Sequence, residues 1–369
     1  MRNFAPALAC LVLMPRVTTM TSPSYTMTFR HLLLVAIGAL LTLPALAQED
    51  EIMKAALEVR GDYHHSLLDG WELGEHTQFT GEFINLKLDG KIAPKFSYSI
   101  RHRINKTQTN SNFFDATDWI YLTYSPNQQW DFSAGKQVVA VGGYEYDYSP
   151  IDVYQYSEYA NHVECYEFGL TAKYNFKNGR DHLVAQVTQS PFRAFADNMY
   201  AYHLMWIGNH GMYSTLWSVN MMEYRPGKFV NHIALGNRFD FCPNAYLLLD
   251  YTNRYAGGYD ASFFGDFTLT SELHVRPIKA LKIFAKYAYE HNDDNAGDDE
   301  LAAGTNLNTI GGGIEYFPLG GKDKLRLHAA VFHTWGTNTH TAPCLYDGMT
   351  NVSIGLTWRA DLLHWKRKG

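Results

Sequence analysis

From residue 54 to residue 362 the chain repeats one local pattern. Apolar and polar side chains alternate at period two, in segments of ten to fourteen residues bounded by turn-forming residues. Period two is the signature of a strand with one apolar and one polar face. Sixteen such segments are expected: 54–64, 78–89, 92–104, 114–124, 129–139, 163–176, 181–190, 199–208, 212–225, 228–240, 244–254, 263–276, 280–291, 306–317, 324–336 and 349–362. The clearest pair is a hairpin expected around Asp89-Gly90. Ile84, Leu86 and Leu88 alternate with Asn85 and Lys87 before it, and Tyr98 and Ile100 alternate with Ser97, Ser99 and Arg101 after it.

The connections constrain the fold further. Every second one is short (90–91, 125–128, 177–180, 209–211, 241–243, 277–279, 318–323), and those between are longer, Pro226-Gly227 excepted. Such parity along an even number of antiparallel strands is the layout of a transmembrane β-barrel, with turns on one side of the membrane and loops on the other. The fold class is therefore all-β. Closure is required because unpaired edge groups in hydrocarbon cost several kcal/mol each, and a barrel of roughly 16 strands is wide enough to hold water.

The longest connection, Ala140 to His162, carries six tyrosines and four acids and no Lys or Arg. So aromatic a segment needs a surface to pack on. It is expected to fold into the lumen as the third outer loop, with Tyr144, Glu145, Tyr146, Asp147, Tyr148, Asp152, Tyr154 and Tyr156 as its constriction residues.

The N-terminus reads as a targeting segment. Arg30 precedes the apolar run Leu32 to Leu43, and Pro44-Ala45-Leu46-Ala47 supplies a small-residue cleavage pattern, together a secretory signal. The expected organisation is a leader over 1–47, cleaved after Ala47 and with 1–26 upstream of a second start at Met27, then a barrel over 48–363 and a basic tail over 364–369. Removing a leader with three basic residues and no acids takes the formal charge from −6 to −9, which argues against a nucleic-acid partner. Aromatic residues make up 15% of the chain against 18% charged, as girdles at two membrane interfaces require. Cys165, Cys242 and Cys344 form no metal pattern, and at most one pair could bridge.

If each apolar row faces lipid, the opposite row lines the lumen. Arg60, Lys95, Arg101, Arg103, Lys136, Arg238, Lys286 and Arg326 are then the expected pore-lining cations, with Lys95, Arg101 and Arg103 a positive track on one strand. Slipping a register by one residue would invert its assignment. An enzyme would need a nucleophile, a base and an orienting group together, and neither G-x-S-x-G nor H-E-x-x-H occurs. Gly311-Gly312-Gly313 lies inside an alternating segment and reads as close packing. The acidic run 293–300 lacks EF-hand spacing and reads as an outer loop.

With leader, parity and the long fifth connection established, the chain resembles the phosphate-selective porin O and P family of Gram-negative outer membranes. The likeness lies in the overall pattern across 50–362 and locally in Trp130-Asp131-Phe132-Ser133-Ala134-Gly135-Lys136-Gln137, running into Gly142-Gly143-Tyr144-Glu145. It implies a trimeric barrel in outer-membrane lipid with an infolded third loop and a basic track that passes small anions such as phosphate. The expected function is passive diffusion of small polar solutes, with no chemistry and no cofactor. A specific uptake channel for a sugar or apolar nutrient, and a non-conducting scaffold barrel, stand as alternatives. Because 140–162 has no cation, any preference for anions would fall to the wall.

Overall fold

The computed structural model describes residues 51–106, 112–192, 198–256, 263–293, 303–338 and 348–366. The leader, most of the acidic run 293–300, Cys344 and residues 367–369 lie outside them. Among the described residues seventeen strands form one antiparallel sheet. One of these is only the pair Trp71–Glu72 at the tip of the first, which leaves sixteen that build a wall.

In chain order these are β1 (Glu51–Leu68), β2 (Gln78–Ala93), β3 (Phe96–Arg103), β4 (Thr117–Tyr124), β5 (Trp130–Val138), β6 (Tyr166–Asn175), β7 (Asp181–Gln189) and β8 (Tyr200–Asn209). Then follow β9 (Tyr213–Arg225), β10 (Lys228–Cys242), β11 (Ala245–Ala256), β12 (Asp266–Ile278), β13 (Leu281–Asn292), β14 (Thr305–Tyr316), β15 (Leu325–Thr337) and β16 (Met349–Lys366). Each pairs with its sequence neighbour, and β16 returns to β1 in a ladder from Leu68↔Met349 to Glu51↔Lys366. No edge is left open, which in hydrocarbon is the condition for a sheet to exist at all.

Burial is inverted relative to a water-soluble domain. Leu170, Ile354 and Ile310 on the outer face are more than half exposed, whereas Arg101, Arg254, Glu315 and Thr357 on the inner face are buried. This is the arrangement lipid outside and polar contents inside demand. Pro226-Gly227 breaks the parity of loop lengths because Gly227, at φ +71°, closes β9 onto β10 in two residues, as a proline followed by a glycine at positive φ allows.

Two expectations are corrected. The β2–β3 turn lies at 94–95, not at Asp89-Gly90, since Asp89 pairs with Ser99 and Gly90 with Tyr98. Gly90 serves a different purpose: a Cβ there would fall 2.1 Å from the Ile52 carbonyl oxygen of β1. The stretch expected as a basic tail is also partly strand, for His364, Trp365 and Lys366 continue β16 against Lys54, Met53 and Glu51.

Candidate solute pathway

The segment between β5 and β6 runs from Val139 to Cys165 and contains two short helices, α1 (Tyr144–Asp147) and α2 (Glu158–His162). Its backbone groups cannot pair within such short helices, so the wall supplies partners. On entry, the Ala140 amide donates to Gln186 Oε1 on β7, the Gly142 amide to Ser218 Oγ on β9, and the Glu145 amide to Asp250 Oδ2 on β11. On exit, the Glu158 and Tyr159 amides at the start of α2 donate to the two carboxylate oxygens of Glu290 on β13, at 2.9 and 3.0 Å. Ser157 adds a cap, its Oγ accepting from the Ala160 amide.

Between these ends the segment crosses to the far wall. Arg60 on β1 donates to the Val153 carbonyl at 2.6 Å and the Ile151 carbonyl at 3.3 Å. Asp152 accepts from Arg326 on β15 at 2.7 Å and from Arg359 on β16 at 2.5 Å. Burial alone would raise the Asp152 carboxyl, but these two guanidiniums outweigh it and hold it below its ordinary value. Tyr154 donates its hydroxyl to Glu315 on β14 and stacks on Phe284 of β13, centroids 5.5 Å apart. Lys286 donates to both Glu145 Oε1 and the Gln155 carbonyl at 2.6 Å. The segment is therefore folded into the barrel and tied to lumen-facing groups on opposite sides.

Its aromatic residues are packing groups. Tyr146 and Tyr159 join the apolar cluster formed with Val141, Met222 and Val230, against which Tyr156 also packs. Tyr144 packs on Leu216 and Leu248, with Tyr148 beside them. Burial pushes the Tyr144 hydroxyl up to about 12 and that of Tyr148 higher still, so both stay neutral. Asp147 is exposed at the end of α1.

The cations named from the sequence fall into three groups. Arg60, Arg238, Lys286 and Arg326 face the lumen, and each meets an acid: Asp62 at 2.6 Å, Asp240 at 2.7 Å, Glu145 at 2.6 Å and Asp152 at 2.7 Å. Arg101 and Arg103 also face inward, but the expected acid-free track is corrected by Asp118 on the next strand, 2.9 Å from Arg101 and 3.2 Å from Arg103. Arg101 further donates to Ser149 in the loop and to the Tyr166 hydroxyl, and lies over the Trp119 ring.

Lys95 and Lys136 are corrected in place. Lys95 is exposed at the β2–β3 turn. Lys136 is opposite Phe168 in the ladder, on the face of β5 that presents Phe132 and Val138 outward, and its ammonium donates to the Phe114 carbonyl.

The wall acids that receive these cations include Asp62, Asp118 and Glu315, whereas Glu290 accepts the loop amides. Each occupies an inward position of its strand, so the alternation did mark them. Asp62 meets Arg60 on its own strand, whereas Asp118 and Glu315 meet cations on neighbouring strands, which only the register identifies.

Two water-accessible spaces flank the loop toward the short-turn end. One, of about 390 Å³, lies between Tyr148, Asp152–Gln155 and strands β10–β15, and is lined by five Lys or Arg and four Asp or Glu. The other, of about 550 Å³, lies against β2–β8 and is lined by Lys87, Arg101 and Lys173 with Asp131 and Asp147. Tyr148 borders both.

Residues 54–211 match the model of the family described as phosphate-selective porin O and P. No curated protein sequence matches the chain. Solved structures with the same fold include an anion-selective porin from Comamonas acidovorans, at 12% identity and TM-score 0.61 over 84% of this chain and 99% of that one. The trimer form of OmpT from Vibrio cholerae aligns at 12% identity and TM-score 0.59, over 84% and 99% of the two chains. The outer membrane channel DcaP of Acinetobacter baumannii aligns at 13% identity and TM-score 0.57, over 83% and 97%.

Proposed function

We propose that this chain, an outer-membrane porin whose first eight strands match the phosphate-selective porin O and P model, passes small polar solutes by passive diffusion around the loop 139–165. The observation that carries this is the compensation of charge inside the barrel. Each acid the loop directs at the wall meets a wall cation, Glu145 on Lys286 and Asp152 on Arg326 and Arg359. The loop therefore contributes little net field of its own, and selectivity falls to the residues left lining the two spaces.

Each space is lined by one more cation than acid. A mixed lining with this bias gives a weak preference for small anions, phosphate among them, not an exclusive filter. The family description and the anion-selective relative support the same direction.

Three further points belong to the proposal. The leader is removed after Ala47, the barrel lies in the outer membrane of a Gram-negative cell, and three copies assemble, as OmpT does in its trimer form. Purified protein in a planar bilayer tests the central claim. Discrete conductance steps are expected, with a reversal potential in a salt gradient that moves modestly toward the anion value. Absence of steps would sink the porin reading, and a reversal potential on the cation side would sink the anion preference.

A further inference from the structure

The 390 Å³ space is not lined as a channel for purely polar solutes needs to be. Lumen positions of a water-filled barrel are ordinarily polar, yet Phe284 and Phe332 point inward here and pack together with Ala330. Room for them comes from backbone: a Cβ on Gly311 would fall 2.3 Å from the Phe332 ring, and one on Gly313 2.9 Å from the Phe284 ring. Seating Tyr154 of the loop accounts for Phe284. Rings continue from the seat to His274, 6.0 Å from Phe284, and then to Tyr246, 4.5 Å from His274. Tyr246 packs beside Tyr148 of the loop and lies 4.0 Å from the Arg238 guanidinium. Seating the loop does not account for Phe317, which lines the same space near the short-turn end.

The charges are placed unevenly. The acids lining the space each face a base: Asp152 on Arg326, Glu272 on His274 at 2.9 Å, Glu315 on Lys282 at 3.0 Å, and Asp323 on Arg359 at 2.6 Å. Arg276 differs. It lies over the Phe317 ring at 4.8 Å and donates to the Lys279 and Gly321 carbonyls, and among the described residues no carboxylate stands within ion-pair distance of it. Its Nε and Nη2 are taken by the Lys279 and Gly321 carbonyls, and its Nη1 is left over. A guanidinium without a carboxylate partner, beside a row of rings, is a paired feature that a carboxylate on a planar ring would match, since a charge-assisted hydrogen bond to Nη1 and ring stacking each favour that partner. Volume permits it, for a cavity of about 150 Å³ already holds benzene.

We propose that this space is a binding site for a monocyclic aromatic carboxylate on its way through the barrel, with the carboxylate on Arg276 and the ring against Tyr246 and Phe317. The inference rests on the porin reading for its route, but binding itself does not need conduction. The test is calorimetry of the full barrel folded in detergent, with benzoate, acetate and benzyl alcohol as probes. Benzoate is expected to bind in the millimolar range, and acetate and benzyl alcohol at least tenfold more weakly. Arg276→Gln and Tyr246→Ser, each checked for heat-modifiable migration on gels, are expected to weaken benzoate tenfold or more.

Benzoate binding no tighter than either partial probe overturns the proposal on the unaltered protein, whatever the variants do. Undiminished benzoate binding in folded Arg276→Gln or Tyr246→Ser overturns the assignment of that end. Conductance steps without benzoate binding overturn this inference and leave the porin reading intact; benzoate binding without steps does the reverse.

Discussion

The ammonium of Lys286 on β13 lies 2.6 Å from Glu145 Oε1 in the loop, and both side chains are almost wholly buried. The wall thus supplies the cation that the loop lacks, and the pair holds the loop in place. Removing one partner of a buried pair costs about 3–5 kcal/mol because the other is left uncompensated. Lys286→Met is therefore expected to loosen the loop, raising open-channel current noise and mean conductance, while the double variant Lys286→Met/Glu145→Gln restores a quiet trace. A quiet trace in the single variant would show that the pair does not hold the loop.

Acid should act through Asp152. Its carboxyl is held below the ordinary value of 3.8 by Arg326 and Arg359, so its contribution to seating the loop is complete above that pH and is lost as pH falls through the lower folded value. Current noise is expected to stay flat from neutral pH down to about pH 4 and to rise only in stronger acid. In Asp152→Asn that acid-dependent rise should disappear. A transition near neutral pH abolished by Asp152→Asn would contradict the sign of the shift.

The two described cysteines should differ in reactivity. Cys242 is exposed at the end of β10. Cys165, the last residue of the loop, is half-buried, and burial pushes its thiol up to about 11. In a chain carrying Cys344→Ser, a maleimide is expected to label Cys242 within minutes from the short-turn side and Cys165 only after unfolding, as thiolate supply and access both dictate. Rapid double labelling of the folded barrel would place Cys165 in contact with water.

Deleting Tyr146 to Gln155 removes the Asp152, Tyr154 and Gln155 contacts with β13 to β16 while leaving the entry and exit anchors. Conductance is expected to rise severalfold, read from single-channel steps at fixed voltage. Unchanged step size would mean that this stretch does not limit the current.

The wall was legible because a strand writes its faces directly into the sequence, and each of the sixteen expected segments overlaps a wall strand, with some ends displaced. Register is written less directly. Asp89-Gly90 has the composition of a hairpin turn, yet Gly90 is required by the close approach of Ile52, and the turn forms at 94–95 instead. Lys136 was expected among the pore-lining cations, yet it shares its row on β5 with the outward Phe132 and Val138. Arg101 and Arg103 looked uncompensated because their counter-ion, Asp118, belongs to another strand. The loop's place inside the barrel followed from its aromatic content, whereas its use of acids as ties to the wall could not be read without the three-dimensional pairings.

The meeting of Glu51 with Lys366 carries one more consequence. The final ladder joins the two segments furthest apart in the chain, so the ring can be completed only after the last strand exists. Antiparallel hairpins can form locally beforehand, but each intermediate presents two raw margins to whatever surrounds it. Truncation before β16 would not yield a narrower version of the same object; it would yield a sheet that lipid rejects along both sides. The last eighteen described residues are in this sense the latch of the whole assembly, and insertion should be all or none with respect to them.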